Sequence, residues 1–234
     1  MARPPNHGAA PRRALVTGSS SGIGEAIARR LLRDGWEVAG LDRTPPTLDA
    51  PGFSATKVDL VDASALIAAM ATLQQVTALV HAAGYMRVAP LGELDTEAGA
   101  GMWQLHVQAA ALLANAIAPR LGAGGRIVLV GSRTASGAAG RSQYAATKAA
   151  LVGMARSWAI ELAPRGITVN VVAPAATDTP MLRDGARESV APRTPPIGRF
   201  VHPDEVAALV AFVLSEEAAA ITGQQLVICG GSSL

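Results

Sequence analysis

The chain has 234 residues, half of them hydrophobic, and a formal net charge of +2. That length suits one α/β domain or at most two small ones, and so large an apolar fraction excludes global disorder. Arginines scattered without a basic run argue against nucleic acid as a partner, no apolar run is long enough to span a membrane, and the single cysteine, Cys229, allows no intrachain disulfide.

In chain order, MARPPNHGAAPRR lacks the apolar core of a targeting signal, so a cytoplasmic protein is expected, with residues 1–12 as a flexible lead-in. RALVTG (13–18) is a short apolar strand ending at a glycine. GIGEAIARRLLRDG (22–35) has helical spacing, with Ile23, Ile27 and Leu31 on one face and Gly35 as a stop. Strands follow at 36–42 and 56–60, a helix at 63–75 and a fourth strand at 76–84. The spacing predicts one long helix over 96–120, a fifth strand at 125–132 and a helix from Arg141 to about Leu162. A sixth strand spans 166–174, a helix with proline at its start 203–215, and a last strand 224–231. Apolar strands alternating with helices imply a parallel sheet covered on both faces. The fold class is therefore α/β: a single doubly wound Rossmann domain over 13–234 with about seven parallel strands. The stretch 175–202 is the least regular, and 182–200 within it reads as a lid over a substrate pocket.

VTGSSSGIGEAIA joins the first strand to the first helix. Gly18, Gly22 and Gly24 let the backbone approach a ligand, and the helix start offers free N–H groups to a pyrophosphate. Ser19, Ser20 and Ser21 add hydroxyls. Asp42 ends the second strand, 18 residues past Gly24. A carboxylate there accepts bonds from ribose hydroxyls and repels a 2′-phosphate, which favours NAD over NADP; Arg43 beside it could instead pair with a phosphate. A tight turn with a solvated strand-end charge is the plainer alternative.

The chain holds two tyrosines and two lysines, and one of each stands four residues apart, at Tyr144 and Lys148. On a helix these positions share a face. A phenol is a poor base at neutral pH, and a cation close by lowers its pKa enough for proton exchange with an alcohol or carbonyl oxygen. Lysine's mobile stem also reaches a sugar hydroxyl, which arginine's planar fork does not reproduce. Ser132 ends the fifth strand, 12 residues before Tyr144. Gly18, Asp42, Gly84 and Ser132 all lie at the carboxyl ends of strands, so they converge on one rim.

With these residues the chain resembles the short-chain dehydrogenase/reductase family, at the level of its 3-oxoacyl-acyl-carrier-protein reductases, over nearly everything after the first dozen residues. TGSSSGIG, including Ile23, resembles its cofactor turn, Asp59-Leu60 its adenine-contacting pair, and HAAG (His81, Ala82, Ala83, Gly84) its strand-four motif. Ser132, Tyr144 and Lys148 resemble its catalytic set. PAATDTPM, with Pro174, Ala175, Thr177 and Thr179, resembles its nicotinamide-side motif. The resemblance implies hydride transfer between NAD(P) and a small-molecule secondary alcohol or ketone. Ser132 polarises the carbonyl oxygen, Tyr144 exchanges the proton, and Lys148 tunes Tyr144 and holds the nicotinamide ribose. It also implies a homotetramer or homodimer built through the helices at 96–120 and 142–162.

Four positions depart from the family pattern. His106 stands where a catalytic asparagine is usual; two roles are open, an imidazole that fills space while its backbone carbonyl holds a relay water, or an imidazole that relays protons. His81 replaces a second asparagine and fits a satisfied interior histidine. Ala175 replaces a glycine. Cys229 replaces an aspartate and fits a small buried apolar residue. No cysteine or carboxylate joins the two histidines at ligand spacing, so no metal site is expected. Tyr85 and Met86 fit either the pocket wall or the core. Arginines 183, 187, 193 and 199 near the lid suit solvated charges or an anionic substrate equally. The competing functions are a cofactor-binding regulator or scaffold without chemistry, and a methyltransferase, which has no use for a Tyr–Lys pair.

Overall fold

The computed structural model describes residues 12–185 and 192–234. The expected lead-in up to residue 11 and the middle of the expected lid, 186–191 with Arg187, lie outside the described residues. Seven strands form one sheet: β1 (Arg13–Thr17), β2 (Glu37–Asp42), β3 (Phe53–Lys57), β4 (Ala78–His81), β5 (Arg126–Val130), β6 (Thr168–Pro174) and β7 (Gln225–Ile228). All neighbours pair in parallel in the order β3-β2-β1-β4-β5-β6-β7. Among the described residues the α-helices are α1 (Gly22–Arg33), α2 (Ala63–Thr72), α3 (Thr96–Trp103), α4 (Ala109–Ile117), α5 (Ser142–Leu162) and α6 (Pro203–Leu214).

Strand side chains alternate between two cores. Leu15, Leu79, Ile127, Leu129, Val169 and Val171 pack with α2, α4 and α5 on one face. Ala14, Val16, Val38, Val80, Val128 and Val172 pack with α1 and α6 on the other. This double cover is why the strands read as continuous apolar runs. The strand order reverses between β1 and β4, and crossovers leave in opposite directions there, opening a crevice beyond their carboxyl ends.

Several element ends shift by a few residues from the sequence-based expectation, α2 stopping at Thr72 and β7 at Ile228; three differences bear on the site. β3 lies at 53–57 rather than 56–60, because it runs beside β2 from Val38↔Phe53 to Asp42↔Lys57 and stops where β2 stops. β4 ends at His81 instead of 84, because the backbone N–H groups of Ala82 and Ala83 leave the sheet and both donate to Thr17 Oγ1, at 3.1 Å each. The helix expected over 96–120 is broken. A π-turn at Gln104–Gln108 separates α3 from α4, and a 3₁₀ turn follows at Ala118–Arg120. The π-turn inserts one residue into the helical ladder, in the way such turns often mark functional sites, and it carries His106.

Candidate active site

The turn from β1 to α1 brings helix and strand into backbone contact. A Cβ on Gly24 would sit 2.1 Å from Gly18 O, so only glycine allows this approach. α1 begins at Ser21, whose backbone is extended and whose side chain does not cap the helix. The first N–H groups and the positive end of the helix dipole are thereby left to an anion. Of the three serines, Ser21 alone lines the cleft. Ser19 is fully buried, and the Ser20 hydroxyl donates to Thr44 O at 3.2 Å.

Asp42 sits on the same rim at the end of β2. Its Oδ2 accepts the Ser20 N–H at 3.0 Å, and its Oδ1 accepts the Thr44 N–H and hydroxyl, each at 3.0 Å. These bonds fix the carboxylate beside the turn, and a carboxylate has lone pairs left for a diol. Arg43 is exposed next to it. Asp59 follows β3 and accepts the Val61 N–H at 3.2 Å. The Leu60 side chain is in the core, so a ligand contact at that position falls to its backbone. None of Ser20, Asp42, Arg43, Asp59 and Leu60 lines the main cleft; they stand at its β2–β3 end.

The main cleft holds about 660 Å³. Gly18, Gly22, Ile23 and Gly24 wall one part, with Ala82, Ala83 and Gly84 beyond β4. Ser132, Tyr144 and Lys148 enter it from β5 and α5, and Pro174, Ala175, Thr177 and Thr179 from the end of β6. The structure thus brings together the glycine turn and the Ser–Tyr–Lys set. Ser132 Oγ accepts the Thr134 N–H at 3.1 Å, which fixes the oxygen and leaves the hydroxyl proton to donate. Lys148 is buried and donates to Val130 O at 2.9 Å. Its Nζ lies 5.8 Å from the Tyr144 ring centroid. Burial lowers the Lys148 pKa to about 7.

The two histidines behind this set are fully bonded. His106 Nε2 accepts the Tyr85 N–H at 3.2 Å, so in the neutral ring the proton is on Nδ1. Nδ1–H then donates to Thr147 Oγ1 at 2.9 Å, and the Thr147 hydroxyl donates to Tyr144 O at 2.8 Å. The imidazole therefore does more than fill space: it clamps the β4 loop to α5. Gly84 makes room for it, since a Cβ there would meet Nε2 at 2.9 Å. The His106 pKa is held well below its usual value by burial, then by the charge of Lys148, and protonating His81 would lower it further. His81 takes the opposite tautomer. Its Nε2 faces the acceptor Leu105 O at 3.1 Å, within the π-turn, and its Nδ1 accepts from the Thr17 hydroxyl at 3.0 Å. Burial, followed by Lys148, lowers its pKa to about 3. His81 is the interior histidine that the sequence suggested, and it holds the π-turn in place.

Other positions sort clearly. Met86 lines the cleft and packs with Met102 and Tyr144. Tyr85 stays outside the lining, under the Arg87 guanidinium. Cys229 is only half-buried, not a core residue, because β7 ends one residue before it; a hydrogen bond from Ser233 leads the lowering of its pKa. Arg183 pairs with Asp178, and Arg199 with both oxygens of Glu205. From the described part of the lid, Leu182, Pro192, Arg193, Thr194 and Pro196 reach the cleft. Sequence reasoning missed Thr17, Thr147, Arg133 and Arg141. Thr147 alone carried a signal, standing between Tyr144 and Lys148 on the same helix. Among the described residues no three potential metal ligands gather, and no helix is long and apolar enough to cross a membrane.

Comparison with known proteins gives three kinds of match. The family described as enoyl-(acyl carrier protein) reductase matches residues 18–233. A D-threitol dehydrogenase of Mycolicibacterium smegmatis is 32% identical, covering 94% of this chain and 92% of its own length. A short-chain dehydrogenase family protein from Francisella tularensis superposes with a TM-score of 0.88 at 26% identity, over 96% of this chain and 99% of its own. A short-chain dehydrogenase from Burkholderia cenocepacia, solved in complex with NADP, is 38% identical with a TM-score of 0.85, over 95% and 98%.

Proposed function

This chain belongs to the short-chain dehydrogenase/reductase family, and from that premise we propose that it oxidises a secondary alcohol or reduces the matching ketone through Ser132, Tyr144 and Lys148, with NAD as its preferred cofactor. The general activity of the family is NAD(P)-dependent oxidoreduction. The observation that carries the finer reading is the shared cleft: Tyr144 and Lys148, one helical turn apart, face Ser132 and the uncapped glycine turn across one cavity. The glycine turn would hold the dinucleotide pyrophosphate, and Asp42 its adenosine ribose. Thr179 would contact the carboxamide side. A nicotinamide dinucleotide held by these residues would supply or accept the hydride.

The chain's own groups manage the proton and the oxygen. Ser132 donates its hydroxyl proton to the substrate oxygen, an orientation set by Thr134. Tyr144 gives a proton to that oxygen in reduction and takes it in oxidation. The Lys148 ammonium stabilises the phenolate by proximity. One of its three donors is fixed on Val130 O, leaving two for the phenol and for a ribose hydroxyl. Val130, at the end of β5, thereby aims the lysine. A phenolate beside Lys148 would in turn favour the ammonium and oppose the effect of burial.

NAD is favoured because Asp42 is fixed where a 2′-phosphate would lie, and two like charges there repel. The Burkholderia relative was solved in complex with NADP, so the NAD reading rests on Asp42 alone. The reading carries a homo-oligomer, tetramer or dimer, across α3–α4 and α5, where Trp103 and Ile160 are exposed. The deciding experiment is Tyr144→Phe with a panel of ketones and alcohols. It should abolish turnover while cofactor affinity stays within about twofold, since the ring is kept and only the hydroxyl is lost. Near-normal kcat in that variant would overturn the mechanism.

A further inference from the structure

The substrate end of the cleft is cationic on both banks. The connection from β5 to α5, residues 131–141, carries Ser132. Arg133 follows Ser132 immediately, and Arg141 stands at the start of α5, three residues before Tyr144. Arg193 comes from the opposite bank, just after the central part of the lid. All three arginines line the cleft, together with Lys148. No aspartate or glutamate is among the described residues that line it.

In the described stretch after β6, Asp178 and Asp184 are already engaged. Asp184 accepts from Arg87 at 3.2 Å, and Asp178 pairs with Arg183. Arg199 points the other way, into its bidentate pair with Glu205. By contrast, no described residue forms an ion pair with Arg133 or Arg193. Between Arg133 and Arg141 the lining residues are small: Thr134, Gly137, Ala138 and Ala139. Like charges converging on a cleft repel one another and raise the local concentration of anions. Guanidinium forks fit planar or tetrahedral oxyanions with two parallel hydrogen bonds.

We propose that the substrate is an anion: a hydroxy or keto compound whose carboxylate or phosphate is held by Arg133 and Arg193 while its carbinol or carbonyl carbon lies at Ser132 and Tyr144. This rests on the oxidoreductase reading above and narrows its substrate class. The reaction stays balanced. In oxidation the C–H hydride passes to the nicotinamide ring and the hydroxyl proton to Tyr144, leaving a C=O; the anionic group takes no part in the electron transfer.

The test uses matched anionic and neutral pairs on the cofactor-loaded protein: 3-hydroxybutyrate against 3-hydroxybutyramide, and glycerol 3-phosphate against glycerol. Turnover gives kcat/KM, and calorimetry gives binding independently of turnover. One anionic member should exceed its neutral partner at least tenfold in kcat/KM, and the carboxylate and phosphate arms identify which oxyanion the site takes. Arg133→Gln and Arg193→Gln should each cut the anionic-to-neutral ratio about tenfold, and raised salt should lower it. Equal kcat/KM within both pairs would overturn the anionic substrate while leaving the oxidoreductase standing. Loss of cofactor affinity in the arginine variants, with the ratio intact, would also overturn it, because the guanidinium groups would then serve the cofactor phosphates. Arginine-dependent anion binding without turnover of any compound would support the anion site and sink the oxidoreductase reading on which it was built. Absence of both binding and turnover for every anion would overturn the proposal.

Discussion

His81→Asn should make the protein less sensitive to acid. His81 is neutral, buried and bonded through both ring nitrogens, and its pKa falls from 6.5 to about 3 on folding. Between those values the unfolded chain binds a proton that the folded chain refuses, so each unit of acidification favours unfolding. The stability from this histidine is fully present above pH 6.5 and is lost as pH falls toward 3. Each unit is worth about 1.4 kcal/mol, so lowering the pH from 8 to 4 removes about 3 kcal/mol. Asparagine cannot titrate, yet its amide can donate to Leu105 O as the ring does. Urea unfolding of the cofactor-free protein at pH 8 and pH 4 measures the effect. The wild type should lose about 3 kcal/mol more than His81→Asn across that interval. Comparing the two proteins cancels the carboxylates they share, and His106, whose pKa is lowered in the same direction, remains in both. Equal losses would refute the buried neutral tautomer.

Asp42→Ala should narrow the preference for NAD(H) over NADP(H), read as the ratio of dissociation constants, and tighter binding of NADP(H) to the unmodified protein would overturn the role given to Asp42. Lys148→Arg should lower kcat at least a hundredfold despite the retained charge, because a planar fork cannot hold Val130 O and face the phenol as an ammonium does. His106→Asn should keep at least a tenth of the wild-type activity, a barrier change under about 1.4 kcal/mol. The pH profile of kcat in the wild type should show no ionisation that His106→Asn removes, since a ring already bonded through both nitrogens carries no relay; a hundredfold loss in a folded, cofactor-binding variant would show that the imidazole does more.

The doubly wound sheet was legible because two-sided burial forces apolar runs, and Leu15 beside Ala14 and Val16 shows the alternation between cores directly. The candidate site was legible because the proposed chemistry needs particular residue types at particular strand ends: glycine at 24, where backbone touches backbone, and lysine one turn after tyrosine. Element ends were less so. β3 reads as TKVDL by composition, but its register on β2 places it at Phe53–Lys57. The break at Gln104–Gln108 leaves no mark in a run of good helix formers. It is held from outside, by His81 on Leu105 O. The lid arginines drew notice by their density, whereas Arg133 and Arg141 are inconspicuous in sequence, and only the fold turns them, with Arg193, into one cleft.

The two histidines show most directly why pattern alone could not assign their roles. Lys148, His81 and His106 are three basic groups buried behind one tyrosine. Charging any one raises the cost of charging the others, and burial penalises all of them. If Tyr144 is to be tuned by a cation, the histidines must stay neutral, and each does so by giving one nitrogen an acceptor and the other a donor. Those partners are Thr147 Oγ1 and Tyr85 N–H for His106, and Leu105 O and the Thr17 hydroxyl for His81. Reversing either tautomer would set an N–H against a donor or leave a lone pair facing a carbonyl oxygen. The threonines are what make histidine tolerable at both positions: the Thr17 hydroxyl donates to His81 Nδ1 while accepting from the β4 loop, and Thr147 Oγ1 accepts the His106 Nδ1–H while its hydroxyl donates to Tyr144 O. Sequence displays a histidine where asparagine is customary and invites a proton relay; the bonding geometry instead leaves Lys148 as the one group of the three able to carry charge near neutral pH.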